Sequence, residues 1–179
     1  MDTAACTFYT VGHSTRSFAD FVRLLEAAAV KCVVDVRSVP RSRTNPQYNR
    51  DSLPQSLRAH GIDYRHIAAL GGLRGRSREV PAGANAWWRN ASFHNYADYT
   101  QSAAFAAGLD ELLALGVRET CAVMCAEAVW WRCHRRIIAD YLIQRGHTVY
   151  HLLGADRIER ASQSVVARPD GQGRLLYPP

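Results

Sequence analysis

At 179 residues, with 47% hydrophobic and 21% charged residues, the chain has the length and composition of one soluble globular domain, which excludes overall disorder. No apolar run approaches the ~20 residues that a membrane-spanning helix needs. The formal net charge is +6, and the 22 basic residues include a single lysine, Lys31. The planar guanidinium group of arginine suits phosphate, so the composition favours an anionic ligand, although solvated surface arginines would give the same charge.

The five cysteines are an odd number without any Cys-x-x-Cys spacing, which indicates reduced thiols rather than a disulfide framework. The N-terminal residues 1–4 lack the basic-then-apolar profile of a secretory signal. We therefore expect a cytoplasmic protein without a membrane partner.

The first predicted elements form a strand, a helix and a second strand. Residues 8–11 are a short β-type run, and Ser17 with Asp20 resembles a capping box that starts a helix. Residues 32–36 form an apolar run interrupted by one acid, as expected of a strand buried on both faces. This order predicts a right-handed βαβ unit.

Strands and helices continue to alternate along the rest of the chain. Further strands are predicted at 62–66, 120–126 and 147–153, and further helices at about 53–60, 96–115 and 133–145. The pattern predicts a three-layer, single α/β domain over 1–179, Rossmann-like, with a mainly parallel sheet of roughly five strands. Its core covers about 8–153, and 154–179 is a C-terminal extension that ends in a hairpin around Asp170–Gly173.

Chemically active side chains lie where the predicted strands end. In an open parallel sheet, ligands bind beyond the carboxyl ends of the strands, so these positions are the candidate site. Each also has a structural explanation, such as a buried carboxylate satisfied by a neighbouring arginine or a cysteine that fills the core. The residues are His13, Ser14, Asp35, Arg37, His66, Gly71, Gly72, Cys125, Glu127 and His151.

Cys133, His134 and Arg135 fall in the first turn of a predicted helix, on the side of its apolar stripe. The free amides and partial positive charge of a helix N-terminus favour an anion and lower the pKa of a nearby thiol. Glu127, at the end of the preceding strand, would face this positive end as an acid or base. Alternatively, it only caps the helix or pairs with Arg135.

The sequence resembles the domain of unknown function family 488. The resemblance rests on Thr10–Ser14, Val34–Arg37, Leu70–Gly72 and Cys125-x-Glu127 followed after five residues by Cys133–Arg135. It implies a common α/β domain with its motifs at the strand ends, and it implies no established reaction. The five residues before Cys133 are usually polar or acidic in similar proteins. Here they include Trp130 and Trp131, which suggests a wall for a planar ligand or a covered interface.

The first functional hypothesis is an enzyme acting on a phosphate-bearing or nucleotide-like substrate. Glu127 or Asp35 would be the general acid or base, and His13 would orient substrate or assist proton transfer. Cys133, next to His134, is the alternative nucleophile. We expect Glu127 to be the residue whose loss matters most. The residues expected to hold the substrate or its anion are Arg37, Arg135, Ser14, Gly71, Gly72 and Trp131.

Three other functions remain open. A nucleic-acid or nucleotide-binding module would use Arg41, Arg43, Arg74, Arg76 and Arg78, although no defined motif supports it. The run 33–37 resembles sulfurtransferases of the rhodanese type, but their nucleophile loop is not visible. A cysteine phosphatase is disfavoured, because such an enzyme needs an arginine six positions after its nucleophile and Arg132 follows Cys125 one position too late. A metal is chemically permitted by His13, Asp35, Glu127, Cys133 and His134, but their spacing predicts no metal site. The sequence indicates neither a cofactor nor an oligomeric state.

Overall fold

The computed structural model describes residues 4–179; residues 1–3, part of the stretch on which the cytoplasmic expectation rests, lie outside the described residues. The strands are β1 (Thr7–Gly12), β2 (Cys32–Asp35), β3 (Asp63–His66), β4 (Cys121–Cys125), β5 (Thr148–Gly154), β6 (Arg157–Arg160), β7 (Arg168–Pro169) and β8 (Leu175–Leu176). The α-helices are α1 (Phe18–Ala27), α2 (Leu53–Arg58), α3 (Ala91–Tyr99), α4 (Ala103–Arg118) and α5 (Arg135–Gln144). Short 3-10 helices cover Pro46–Tyr48, Ala68–Leu70 and Trp130–Arg132.

The central sheet has six strands in the order β3-β2-β4-β1-β5-β6. The first five run parallel, and β6 pairs antiparallel with β5. The predicted three-layer α/β architecture with a mainly parallel sheet is therefore confirmed. The sequence pattern did not reveal β6, because Arg157–Arg160 is a mostly exposed edge strand without apolar alternation.

Each face of the sheet has its own core. Alternate side chains of β2 show this, since Val33 packs in the cluster with α1 and α2, and Val34 packs in the cluster with α4 and α5. The chain thus leaves β2 toward one face and β4 toward the other. Because β2 and β4 are neighbours, their carboxyl ends border an opening between the two departing connections. This opening positions the candidate site.

The C-terminal segment closes over the loop between β3 and α3. The Tyr177 hydroxyl donates to Asp140 Oδ2 at 2.9 Å, and its backbone N–H donates to Asn85 Oδ1 at 2.9 Å. Asn85 in turn donates to Asp98 at 2.8 Å, which fixes the loop to α3. Before this segment ends, β7 and β8 pair antiparallel around the turn at 170–174. Within residues 4–179, no helix combines the length and apolar character needed to cross a membrane.

The buried side chain of His151 makes folding stability depend on pH. His151 Nδ1 lies 2.6 Å from Thr10 Oγ1, and the Trp130 indole stacks on its ring at 4.6 Å. Burial, with a smaller contribution from the Arg135 charge, lowers the pKa of His151 from 6.5 to about 4. Between these values the unfolded chain binds a proton that the folded chain excludes, so folding stability falls as the pH falls through this window.

We predict that titration of His151 lowers the free energy of unfolding by about 2 kcal/mol when the pH falls from 7 to 5. His151→Gln removes the titrating group and keeps an acceptor for Thr10, so its stability should depend less steeply on pH. Urea unfolding of both proteins at the two pH values measures the difference. Equal losses in the two proteins would contradict the assignment.

Candidate functional site

A cavity of about 300 Å³ opens at the carboxyl ends of β2 and β4. Its lining contains two thiols, one imidazole and three guanidinium groups, and no acidic side chain of residues 4–179 lines it. Two of these guanidinium groups pair with carboxylates outside the lining, Arg37 with Asp35 at 2.7 Å and Arg41 with Asp51 at 3.6 Å, so among residues 4–179 Arg132 carries the uncompensated positive charge of the cavity. The lining residues with polar or reactive side chains are Arg37, Ser38, Arg41, Ser92, Cys125, Arg132, Cys133 and His134.

Cys133 lies two residues before α5, and its sulfur accepts from the first backbone N–H of the helix. The backbone N–H of Arg135 points to its Sγ at 3.5 Å, and the guanidinium Nε of the same residue donates to Sγ at 3.3 Å. Burial opposes ionisation of Cys133, but the adjacent Cys125 thiol and the charges of Arg135 and His134 outweigh it and hold the pKa of Cys133 well below its ordinary value. These contacts favour the thiolate form of Cys133 over the thiol.

His134 is fixed in one orientation beside this sulfur. Its Nε2 donates to the Val36 carbonyl at 2.9 Å, which leaves Nδ1 facing Cys133 Sγ at 3.6 Å. The ring also rests on Gly72, where a Cβ would lie 2.5 Å from Nδ1. The absence of a side chain at Gly72 is therefore what lets the imidazole reach the sulfur.

Arg135 is 1% exposed, and the structure gives it no carboxylate partner among residues 4–179. Its NH2 donates to the Glu127 carbonyl at 2.6 Å, and its NH1 approaches Thr10 Oγ1 at 3.5 Å. Buried charges need a compensating partner, and Cys133 is the one acidic group among the described contacts of Arg135. The guanidinium therefore favours a negative charge on this sulfur.

Arg37 is held at the cavity wall by a second network. Asp35 is fully buried; it accepts from Arg37 Nε at 2.9 Å and from Arg37 NH2 at 2.7 Å, and the Tyr64 hydroxyl donates to the same carboxylate. His13 donates from Nδ1 to the Ser14 carbonyl at 2.8 Å, so its Nε2 is free to accept from Arg37 NH1 at 3.4 Å. Burial lowers the pKa of His13, which keeps this acceptor neutral. Asp35 and His13 therefore orient Arg37 and do not line the cavity.

Glu127 and Ser14 lie outside the cavity, in an adjoining groove of about 490 Å³ that Cys125 also lines. The Glu127 side chain is exposed, and Arg135 uses its backbone carbonyl instead of its carboxylate. The reason is the sharp turn after β4, which directs the carbonyl inward and the side chain outward. Gly71 packs against Ser38.

The tryptophans pack mainly around Arg136. Its guanidinium carbon lies 5.6, 5.0 and 5.8 Å from the rings of Trp87, Trp88 and Trp130. Trp131 is 42% exposed and packs edge-on against Trp130, outside the cavity lining.

Arg132 and Ser92 were not predicted as site residues from the sequence, because they lie in segments without a periodic pattern. Cys125 was named at a strand end without a role, and Arg41 was assigned only to nucleic-acid binding. Only the position of Arg132 next to Cys133 could have indicated that it belongs to the site.

The ligating atoms of Cys125, Cys133 and His134 lie within 4.8 Å of one another and could hold a thiophilic cation such as zinc, with one position open to the cavity. The Val36 carbonyl on His134 Nε2 is the kind of partner that orients a histidine ligand. Against a metal, Arg135 already neutralises Cys133 and would repel a second cation. The geometry therefore fits a free thiolate better than a metal centre.

A comparison with protein-family models finds one match, to Domain of unknown function DUF488 over residues 17–142. The matched segment includes every polar cavity residue named above and ends within α5. Comparisons with curated proteins and with solved structures give no significant match.

We predict that Gly72→Ala displaces the His134 ring, because the new Cβ has no room beside Nδ1. Loss of the imidazole from Cys133 should raise the pKa of that thiol, so iodoacetamide labelling of the variant should begin to slow at a higher pH than labelling of the wild type. Gly75→Ala is the matched control, since a Cβ at Gly75 meets nothing within 4 Å. Equal labelling rates in the two variants would show that Gly72 does not position His134.

Proposed function

The chain belongs to the Domain of unknown function DUF488 family, and we propose, from the geometry of its cavity, that it is an enzyme in which the Cys133 thiolate attacks an anionic substrate. The observation that carries this proposal is the buried Arg135 guanidinium, which has Cys133 Sγ as its anionic partner at 3.3 Å. A thiolate is the reactive form of cysteine, and a cavity gives the substrate access to it.

The arginines of the cavity give the substrate its chemical class. Arg37, Arg41 and Arg132 line the space in front of the two sulfurs, and fork-shaped guanidinium groups bind tetrahedral oxyanions well. The substrate would carry a group such as a phosphate, as the arginine-rich composition led us to expect. In this proposal Asp35 and His13 are positioning residues, which hold Arg37 toward the cavity.

General acid-base chemistry by Glu127 or Asp35 receives less support. The Asp35 carboxylate is occupied by Arg37 and Tyr64, and the Glu127 carboxylate faces solvent beside the adjoining groove. Glu127 could act only on a substrate that extends from the cavity into that groove. Cys133, with His134 beside it, replaces Glu127 as the residue to test first.

We predict that iodoacetamide labels Cys133 at a rate that changes little between pH 8 and pH 6. An ordinary thiol, such as glutathione in the same reaction, slows by about tenfold for each pH unit below its pKa. Arg135→Gln should restore this ordinary pH dependence, because it removes the charge that stabilises the thiolate. Peptide mass spectrometry locates the label.

Arg145→Gln, the same change near the other end of α5, is the control and should label as the wild type does. A wild-type labelling rate that falls with pH as steeply as that of glutathione would disprove the nucleophile. Loss of labelling in Cys133→Ser confirms that the signal comes from this sulfur.

A second candidate function is nucleic-acid binding, favoured by a groove of about 840 Å³ on the other side of α3. Arg76, Arg78 and Arg89 line it, and they could contact successive phosphates. Asp98 also lines the groove, but it is occupied by Asn85 and His94.

We predict for this candidate that a single-stranded oligonucleotide binds with an affinity that falls steeply with salt, and that the triple change of these arginines to glutamine removes most of the salt dependence. Arg23→Gln, in the exposed pair with Asp20, is the control substitution. Fluorescence anisotropy at several salt concentrations measures the affinity of each protein and its salt dependence. Absence of binding at low salt would exclude this function.

A further inference from the structure

We propose that the group transferred at this site is sulfane sulfur: Cys133 accepts it from an anionic thiosulfate-type donor, and Cys125 then releases it as hydrosulfide by forming a disulfide with Cys133. The inference rests on the proposed function, since it requires Cys133 to be the nucleophile. It goes further by naming the substrate class and a second catalytic residue.

The first support is the position of Cys125. Its Sγ lies within 4.8 Å of Cys133 Sγ, and both thiols line the same cavity. A disulfide has a sulfur-sulfur distance of about 2.05 Å, so a modest rotation of the two side chains would bring them into bonding distance. In phosphoryl transfer the second thiol would take no part in the chemical step, whereas sulfur transfer uses it.

The second support is the absence of a carboxylic acid at the sulfurs. Cleavage of a phosphate ester expels an alkoxide, which needs a proton from a general acid. No acidic side chain of the described chain lines the cavity, and both ring nitrogens of His134 are engaged, one on the Val36 carbonyl and one against Cys133. A thiosulfate-type donor expels sulfite, a weak base that leaves without a proton.

The third support is the charge of the cavity. An uncharged oxidant such as a hydroperoxide could also join two thiols, but it would gain nothing from a cavity with three arginines. Thiosulfate is a tetrahedral dianion, and Arg132 and Arg41 would bind its oxygens, Arg41 in exchange for its exposed contact with Asp51, while its outer sulfur faces Cys133. The lining therefore favours an anionic sulfur donor.

The two steps balance as follows. The Cys133 thiolate attacks the outer sulfur of thiosulfate; a sulfur-sulfur bond forms on Cys133, and the bond to the inner sulfur breaks with its electron pair leaving on sulfite. The sulfur of Cys125 then attacks Cys133 Sγ, which forms the disulfide and breaks the bond to the transferred sulfur. That sulfur leaves with the electron pair and the Cys125 proton as hydrosulfide. The two cysteines lose two electrons, the sulfane sulfur gains them, and a small external thiol restores the dithiol by exchange.

The test is a single turnover of the full-length, reduced protein with thiosulfate in the presence of a metal chelator, followed by intact-mass measurement and assays of sulfite and hydrosulfide. The wild type should lose the mass of two hydrogen atoms and release one sulfite and one hydrosulfide per chain. Cys125→Ser should stop at the first step, gain the mass of one sulfur atom and release sulfite alone. Cys133→Ser should do neither, and Cys6→Ser, at the opposite end of β1, should behave as the wild type.

The outcomes separate the two proposals. If Cys133 labels rapidly with iodoacetamide but thiosulfate changes no mass, the nucleophile stands and the sulfur-transfer inference is wrong. A phosphorylated Cys133 after incubation with p-nitrophenyl phosphate would also overturn it in favour of phosphoryl transfer. If Cys125→Ser, or Cys125→Ala as a second variant, still releases hydrosulfide, Cys125 is not the resolving thiol. If Cys133 is inert toward both iodoacetamide and thiosulfate, both proposals fail.

Discussion

The contact between the Arg135 guanidinium and the Cys133 sulfur determines how the rest of the site is arranged. A guanidinium that is 1% exposed has lost its hydration. Its burial costs a large free energy unless an anion and hydrogen-bond acceptors replace the water. The Glu127 carbonyl and Thr10 Oγ1 supply acceptors, and Cys133 supplies the charge. The same interaction thus satisfies a requirement of folding and favours the thiolate form of Cys133.

The sheet topology makes this contact possible. Thr10 comes from β1, Cys125 from β4 and the Val36 carbonyl from the end of β2, and these three strands are adjacent in the order β2-β4-β1. α5 begins directly above them at Arg135, so the residues before it meet groups from all three strands. His151 on β5 completes the arrangement. It accepts from Thr10, and protonation of its ring would place a second cation near Arg135.

The sequence allowed the fold to be predicted because its elements carry recognisable apolar patterns, such as the continuous buried run Cys32–Asp35. The approximate location of the site followed from the same patterns, since strand ends in a parallel sheet converge. The detailed roles did not follow. Whether Glu127 offers its carboxylate or its carbonyl depends on an irregular turn, and the proximity of Cys125 to Cys133 depends on how residues 126–132 fold back. Neither has a periodic signature.

The two neighbouring thiols are chemically unequal, and this inequality comes from Arg135. Its Nε and backbone N–H both point to Cys133, so a negative charge is favoured on this sulfur over that of Cys125. The hydrogen bond to Cys133, together with burial, raises the pKa of Cys125 well above its ordinary value. The proposed nucleophile therefore lies beside a thiol that favours its protonated form. Once Cys133 has accepted a sulfur atom, its charge moves outward to that atom, the constraint on Cys125 relaxes, and the proton becomes available where the proposed hydrosulfide leaves.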